Sequence, residues 1–221
     1  MRKVIVFTFV TMDGVLQAPG GPHEDQSNNF KWGGWTFPYW DDSMNKVMEQ
    51  ATSQPYDLLL GRRTYEIFAA YWPYQKDDPM AEKFNRIQKY VVSSQHRELP
   101  WENSVLLTGD VIAELKKLRE QNGADLLIHG SGKLIQTLLQ NSLVDELHTW
   151  IFPITIGTGK KLFAEGTQPG QWKQLNVQIS TTGVIMASYV PDGDIKLGSF
   201  ATEDASDLEM ERRKKLAEEE S

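Results

Sequence analysis

The residues of this chain best suited to chemistry stand where apolar runs stop. Leu58-Leu59-Leu60 gives way to Gly61-Arg62-Arg63-Thr64-Tyr65-Glu66, so a strand-like run meets a glycine and then a basic, hydroxyl-bearing helical pattern. A junction of this kind delivers a helix N-terminus to an anion, because the free N–H groups and the dipole of the first turn favour negative charge. Gly61 allows close backbone approach, while Arg62, Arg63 and Thr64 add donors suited to phosphate oxygens. Two further junctions repeat the logic, Val91-Val92-Ser93-Ser94-Gln95 and Leu127-Ile128-His129-Gly130-Ser131-Gly132. Three phosphate-friendly strand ends in one chain predict a bound dinucleotide.

Other residues invite chemical readings of their own. Asp13 closes the first apolar run beside Gly14, where its carboxyl group can orient a substrate, relay a proton or organise the turn. The segment 14–40 is rich in glycine and proline and carries Trp32, Trp35, Phe37, Tyr39 and Trp40. Its aromatic rings either grip a flat heterocycle and shield it from water or anchor a long loop by packing. Asp41 and Asp42 suit the N-cap of the helix that follows, and His129 reads by default as a satisfied histidine at a strand end.

Several chemistries are excluded. The chain has no cysteine, which removes disulfides, thiolate metal sites and cysteine nucleophiles. Glu146 and His148 share one face of a strand while Asp145 points away, and no other histidine stands at ligand spacing, so no metal site is expected. Ile135 occupies the third glycine position of a G-x-G-x-x-G pattern, Lys161 replaces the hydroxyl residue of a Walker A loop, and no G-x-S-x-G elbow surrounds Ser131.

The elements that must position these residues follow from periodicity. Val4–Thr11 is nearly continuous in apolar character, as for a strand covered on both faces. Helical patterns over 41–52, 62–70, 79–86, 110–121 and 132–140 alternate with strands at 56–60, 89–93, 104–107, 125–129 and 145–152. Two β-patterned runs near 172–180 and 183–190 form an antiparallel pair around Thr182-Gly183. The expected fold is α/β: a three-layer α/β/α domain with a mainly parallel sheet and an antiparallel C-terminal pair. Residues 1–200 make one domain, and 201–221 make a charged tail.

The formal net charge is −7, of which the tail supplies −4, so a broad basic surface for nucleic acid is not expected. No apolar run reaches the length of a membrane span, and Met1-Arg2-Lys3 with its apolar run lacks a cleavage site, so the expected location is cytoplasmic.

Taken in order, the motifs resemble the RibD C-terminal-domain family of stand-alone bacterial reductases, within the dihydrofolate-reductase-like superfamily. The resemblance is carried by Thr11-Met12-Asp13-Gly14, Leu60-Gly61-Arg62-Arg63-Thr64-Tyr65, Val92-Ser93-Ser94 and His129-Gly130-Ser131-Gly132. It continues through Val144-Asp145-Glu146-Leu147 and Pro153-Ile154-Thr155-Ile156-Gly157-Thr158-Gly159 to Leu162-Phe163. It implies a dihydrofolate-reductase-like fold with NADPH across the carboxyl ends of the parallel strands. Gly61, Arg62, Arg63 and Thr64 then match the helix start that holds cofactor phosphates. Ser93 and Ser94 match the strand end at the adenosine ribose and 2′-phosphate, and Gly130, Ser131 and Gly132 match the loop at the pyrophosphate and nicotinamide. Asp13 is the candidate catalytic residue, and Trp35, Trp40 and Pro153 are the candidate substrate contacts.

The implied activity is hydride transfer to a small heterocyclic or carbonyl substrate, similar to reduction of a ribosylaminopyrimidine in riboflavin biosynthesis. Dihydrofolate reductase proper and a non-catalytic nucleotide-binding module on the same fold remain alternatives. The resemblance also implies a homodimer.

Hydrogen bonds to charged groups contribute about 1.5–3 kcal/mol each. Replacing Arg62 or Arg63 by alanine is therefore expected to weaken NADPH by about tenfold or more while leaving NADH much less affected. Parallel titrations of the two cofactors check this, and an unchanged preference in both variants would remove the assignment.

Overall fold

The computed structural model describes residues 1–96, 98–200 and 205–219. In chain order the elements are β1 (Val4–Thr11), α1 (Asp42–Ala51), β2 (Tyr56–Gly61), α2 (Arg62–Tyr71), α3 (Pro79–Arg86), β3 (Lys89–Val92) and β4 (Ser104–Leu107). They continue with α4 (Val111–Glu120), β5 (Asp125–Ile128), α5 (Gly132–Gln140), β6 (Glu146–Phe152), β7 (Trp172–Ile179), β8 (Ile185–Pro191) and α6 (Asp207–Glu219).

The strands form one eight-stranded sheet in the order β4-β3-β2-β5-β1-β6-β8-β7. Pairings from β4 through β6 are parallel, and β8 runs antiparallel to both β6 and β7. The α/β class, the mainly parallel sheet and the antiparallel C-terminal pair are as the sequence predicts. β8 is the inner strand of that pair and β7 the edge.

Strand alternation divides the core in two. Phe7, Leu58, Leu60, Leu127, Trp150 and Phe152 pack with Met44, Tyr65 and Phe84 of α1, α2 and α3. On the other face Val4, Val6, Leu59, Leu126, Ile128 and Leu147 pack with α4 and α5. Chain direction explains the division. The chain marches from β1 to β4 in one direction and returns through β5 and β6 in the other. Right-handed crossovers therefore lay α1–α3 on one face and α4–α5 on the opposite face. Strand β5, inserted between β1 and β2, is followed by a helix on the face opposite to theirs. A crevice opens at such a switch point, outside the carboxyl ends of the strands.

The first residues of the chain tie three parallel strands together. Arg2 is buried; its guanidinium pairs with Asp57 of β2 and bonds the carbonyl of Ala124, and its N–H donates to Arg119 O at 2.8 Å. Arg119 in turn grips Asp145 at 2.8 Å, and Asp145 accepts from Val4 N at 2.7 Å. This end of the sheet is sealed by charge-assisted bonds, which leaves the opposite end, where β1, β2, β3, β5 and β6 all terminate, to hold the cleft.

Helix α6 has no buried residue. The boundary expected between domain and tail at 200/201, and the last tail residues 220–221, lie outside the described residues.

Candidate cofactor and substrate cleft

Gly61 and Gly130 bring the ends of β2 and β5 into backbone contact. Gly61 N donates to Gly130 O at 3.0 Å. A Cβ added at Gly61 would stand 2.3 Å from Ser131 Oγ and 2.9 Å from Ser131 N, and one at Gly130 would stand 2.6 Å from Thr64 Oγ1. Only glycine permits this approach, and it places the first turns of α2 and α5 side by side. The Gly130–Ser131 peptide is cis.

How the helices begin separates these two from the rest. Helices α1, α3 and α4 start on Asp41, Asp78 and Asp110, each of which accepts a hydrogen bond from a first-turn N–H. Each of the three also has an acidic residue in its first turn. Helices α2 and α5 start on Gly61 and Ser131, with no side-chain cap and no acid in the first turn. Neither N-cap side chain takes up their first-turn N–H groups, and both helix dipoles favour negative charge at these starts.

The basic residues expected at this site are present but engaged. Arg62 pairs with Glu66 at 2.8 Å; Arg63 donates to Ser27 Oγ at 3.3 Å and lies 3.8 Å from Asp25. Arg62 also lines a cavity of about 340 Å³ together with Tyr65, Ser93, Glu98 and Leu106. Ser93 is buried, and its hydroxyl closes a turn by donating to Gln95 O at 3.0 Å and accepting from Gln95 N at 3.1 Å. Ser94, the next residue, is exposed.

Two of the expected site residues are engaged by the protein itself. Asp13 accepts from Thr11 Oγ1 at 2.6 Å, Ile156 N at 3.1 Å and Gly157 N at 2.7 Å. These donors, Thr11 foremost and against the opposing effect of burial, hold its carboxyl down to about 2. An anion with three donors clamps the 153–157 segment to the end of β1 and has no proton to give near neutrality. Trp35 is 5% exposed, packs edge-on against Phe152 and donates its indole N–H to Gln17 O at 2.8 Å. It anchors the loop from beneath, and its ring is covered by protein.

Trp40 keeps 37% exposure, with its ring against Phe9 and Trp150 and its N–H on Asn45 Oδ1 at 2.7 Å. Pro153 is exposed at the end of β6, and its carbonyl accepts from Tyr39 Oη at 3.5 Å. The wall between α1 and the sheet is therefore aromatic, built from Phe7, Phe9, Tyr39, Trp40 and Trp150. Asp41, besides capping α1, accepts from Thr181 N and Oγ1 at 2.9 and 2.6 Å, which pins the β7–β8 turn beside this wall.

His129 is more constrained than a default reading suggests. Its ring lies 5.6–6.1 Å from those of Phe7, Phe68 and Phe84, and its Nε2 is buried without a hydrogen-bond partner. Among the described residues no group of three metal-binding side chains occurs.

Sequence reasoning missed Asp25 and Lys160, which meet in an ion pair beside Arg63. No local signal marks them, because they lie on separate loops joined only in the folded chain.

The model of the RibD C-terminal domain matches residues 2–186. An uncharacterized Bacillus subtilis (strain 168) protein, YyaP, is 26% identical over 193 residues, which is 85% of this chain and 94% of YyaP. A solved structure of a putative riboflavin biosynthesis protein from Shewanella sp. PV-4 superposes with a TM-score of 0.60 at 22% identity, covering 86% of this chain and 99% of that one. Dihydrofolate reductase from Enterococcus faecalis, complexed with NADP(H), superposes with a TM-score of 0.55 at 15% identity, covering 86% and 96%.

Burial pushes the His129 imidazole down to about 4 from 6.5, against the opposing bond to Phe7. The unfolded chain therefore binds the extra proton first, and stability falls as pH drops from about 6.5 to about 4. The loss should approach about 3 kcal/mol. Melting curves across this range should show a shallower acid slope for His129→Phe than for the wild type; equal slopes would contradict the burial.

Proposed function

The chain belongs to the RibD C-terminal domain family, and on that premise we propose that it is an NADPH-dependent reductase that transfers hydride to a small heterocyclic or carbonyl substrate. The observation that carries the proposal is the pair of uncapped helix starts at Gly61 and Ser131, brought together with Arg62 and Arg63 beside them. A dinucleotide has the complementary form: a diphosphate for two helix N-termini, with a nucleoside at either side. A structural neighbour described with NADP(H) supports the choice of cofactor.

In this reading the N–H groups of α2 and α5, with Thr64, Gly130 and Gly132, hold the diphosphate. Arg62, Ser93 and Ser94 meet the adenosine ribose and its 2′-phosphate along the cavity of about 340 Å³. NADPH supplies hydride when bound. The chain supplies orientation and exclusion of water, with Trp40 and Pro153 at the substrate side and the aromatic wall behind them. Asp13 serves by fixing the 153–157 segment that borders this space.

The substrate class follows the wall. A flat, partly unsaturated ring stacks on Trp40, as a pyrimidine or pteridine would, which is consistent with a riboflavin-type pyrimidine and with a folate. Binding of the cofactor without turnover of any such ring would instead favour a nucleotide-binding module.

We also propose a homodimer, through the β7–β8 hairpin. Residues 174–191 carry no charge, while Leu175, Val177, Ile179 and Ile185 are 40–68% exposed. Ile151, Ile185 and Ile179 stand opposite one another across three strands. Natural edge strands are usually guarded by charges, and an unguarded apolar edge is commonly covered. Light scattering should give about twice the 25.2 kDa chain mass, and Ile179→Lys should return it to the monomer value; a monomeric wild type would end this proposal.

The cofactor assignment is tested by fluorescence titration with NADPH and with NADH, using the seven tryptophans as donors to the reduced nicotinamide. Saturable quenching, with NADPH well ahead of NADH, is expected. No binding of either would leave the fold without a cofactor role.

A further inference from the structure

The loop between β1 and α1 brings a carboxylate into the phosphate end of the cleft. Asp25 Oδ2 is ion-paired with Lys160 Nζ, and Asp25 Oδ1 lies 3.8 Å from Arg63. The same guanidinium donates to Ser27 Oγ at 3.3 Å, while Ser27 N and Oγ donate to Asp25 Oδ1 at 3.1 and 2.6 Å. Two cations from distant parts of the chain thus converge on one acid. Burial works against the charge on Asp25, yet the bonds from Lys160 and Ser27 outweigh it and hold the carboxyl below its ordinary range.

The cluster flanks the two open helix starts. Arg63 is the second residue of α2. Lys160 belongs to a strap that runs beside α5: Leu16 N donates to Lys160 O at 2.9 Å, and Gln136 of α5 donates to Lys161 O at 3.0 Å. Leu16 itself lies over the first residue of α5, since a Cβ at Gly132 would stand 3.2 Å from Leu16 Cδ2.

We propose that Arg63 and Lys160 form an anion subsite for a phosphate group of the ligand, and that Asp25 is its resident counter-ion, which the phosphate displaces. The inference rests on the dinucleotide reading above and adds Lys160 and Asp25 to it. A phosphate and a carboxylate cannot share two cations without like-charge repulsion, so ligand and loop compete for the same charges.

The loop is constructed so that its tip can be released. Its flanks are fixed by buried Ala18, Phe30 and Trp35. Between them the tip is held by polar contacts: Glu24 accepts from Gly20 N at 2.6 Å, and Gln17 Nε2 donates to the carbonyls of Asp25 and Ser27 at 3.0 Å. Asn28 and Asn29 both adopt left-handed backbone, φ 59° and 58°, which asparagine tolerates better than other non-glycine residues and which suits a tight loop tip. The ion pairs at Asp25 add to these contacts, so their loss would loosen the tip while Gln17 and Glu24 keep their own bonds.

The test is calorimetric titration at low salt with inorganic pyrophosphate and with NADPH, on the wild type, Asp25→Asn, Lys160→Gln and the double variant. Asp25→Asn should bind both ligands about three- to tenfold tighter, and Lys160→Gln should bind them weaker by a similar factor. In the double variant the gain from Asp25→Asn should shrink. Amide exchange on the wild type needs no variant: pyrophosphate should speed exchange over residues 20–29. Equal or weaker binding by Asp25→Asn would overturn the proposal, since Asp25 would then be arranging the loop for the ligand. So would unchanged binding by Lys160→Gln or unchanged exchange with pyrophosphate bound. If NADPH binds to none of the four while the pyrophosphate pattern holds, the subsite stands and the dinucleotide reading falls. If NADPH binds equally to all four and pyrophosphate has no effect, the subsite falls and the dinucleotide reading stands. No binding of either ligand would overturn both.

Discussion

The contact on which the rest of the cleft depends is the one between Gly61 and the Gly130–Ser131 peptide. Two parallel strands end there with their backbones closer than any side chain would allow, and a hydrogen bond from Gly61 N to Gly130 O joins them. Because α2 and α5 spring from these two ends on opposite faces of the sheet, the contact fixes the distance and angle between their N-termini. An anion placed between them feels two dipoles and two sets of unsatisfied N–H groups. One such helix start is a commonplace of α/β proteins. Two held in register by glycine carry the direction that the proposed diphosphate site requires.

Aspartate does the opposite work elsewhere in the chain. Asp41, Asp78 and Asp110 cap the starts of α1, α3 and α4 with their own carboxylates. Asp13 gathers three donors at the end of β1, and Asp145 joins β1 to Arg119. Each is an acceptor matched to local donors, so its charge is used in holding backbone together. Asp25 instead bridges two cations from separate parts of the chain that border the open helix starts, and this sets it apart from the aspartates above.

Particular residues show how far the sequence could be read. Helix α3 at 79–86, strand β4 at 104–107 and helix α5 at 132–140 lie where periodicity and capping residues put them, because each is determined by neighbours within a few positions. The same holds for Asp41 as a cap and for Glu146 and His148 on one strand face, 3.3 Å apart. Trp35 and Asp13 were legible as important positions but not in the partners they meet. A tryptophan that packs a loop and one that meets a ligand have the same local pattern; the contacts of Trp35 with Gln17 O and Phe152 form only after the loop has folded back.

The sequence by itself determined the alternation of strands and helices, the glycine-ended junctions and the family, since these rest on short-range periodicity and on motifs in order along the chain. Tertiary structure alone decided that β5 lies between β1 and β2, which makes neighbours of Gly61 and Gly130. It alone decided that Asp25 reaches both Arg63 and Lys160. Strand order is set by how crossovers bury two apolar faces at once. Charge pairs between remote loops arise only when that burial has been completed, so neither leaves a trace in local sequence.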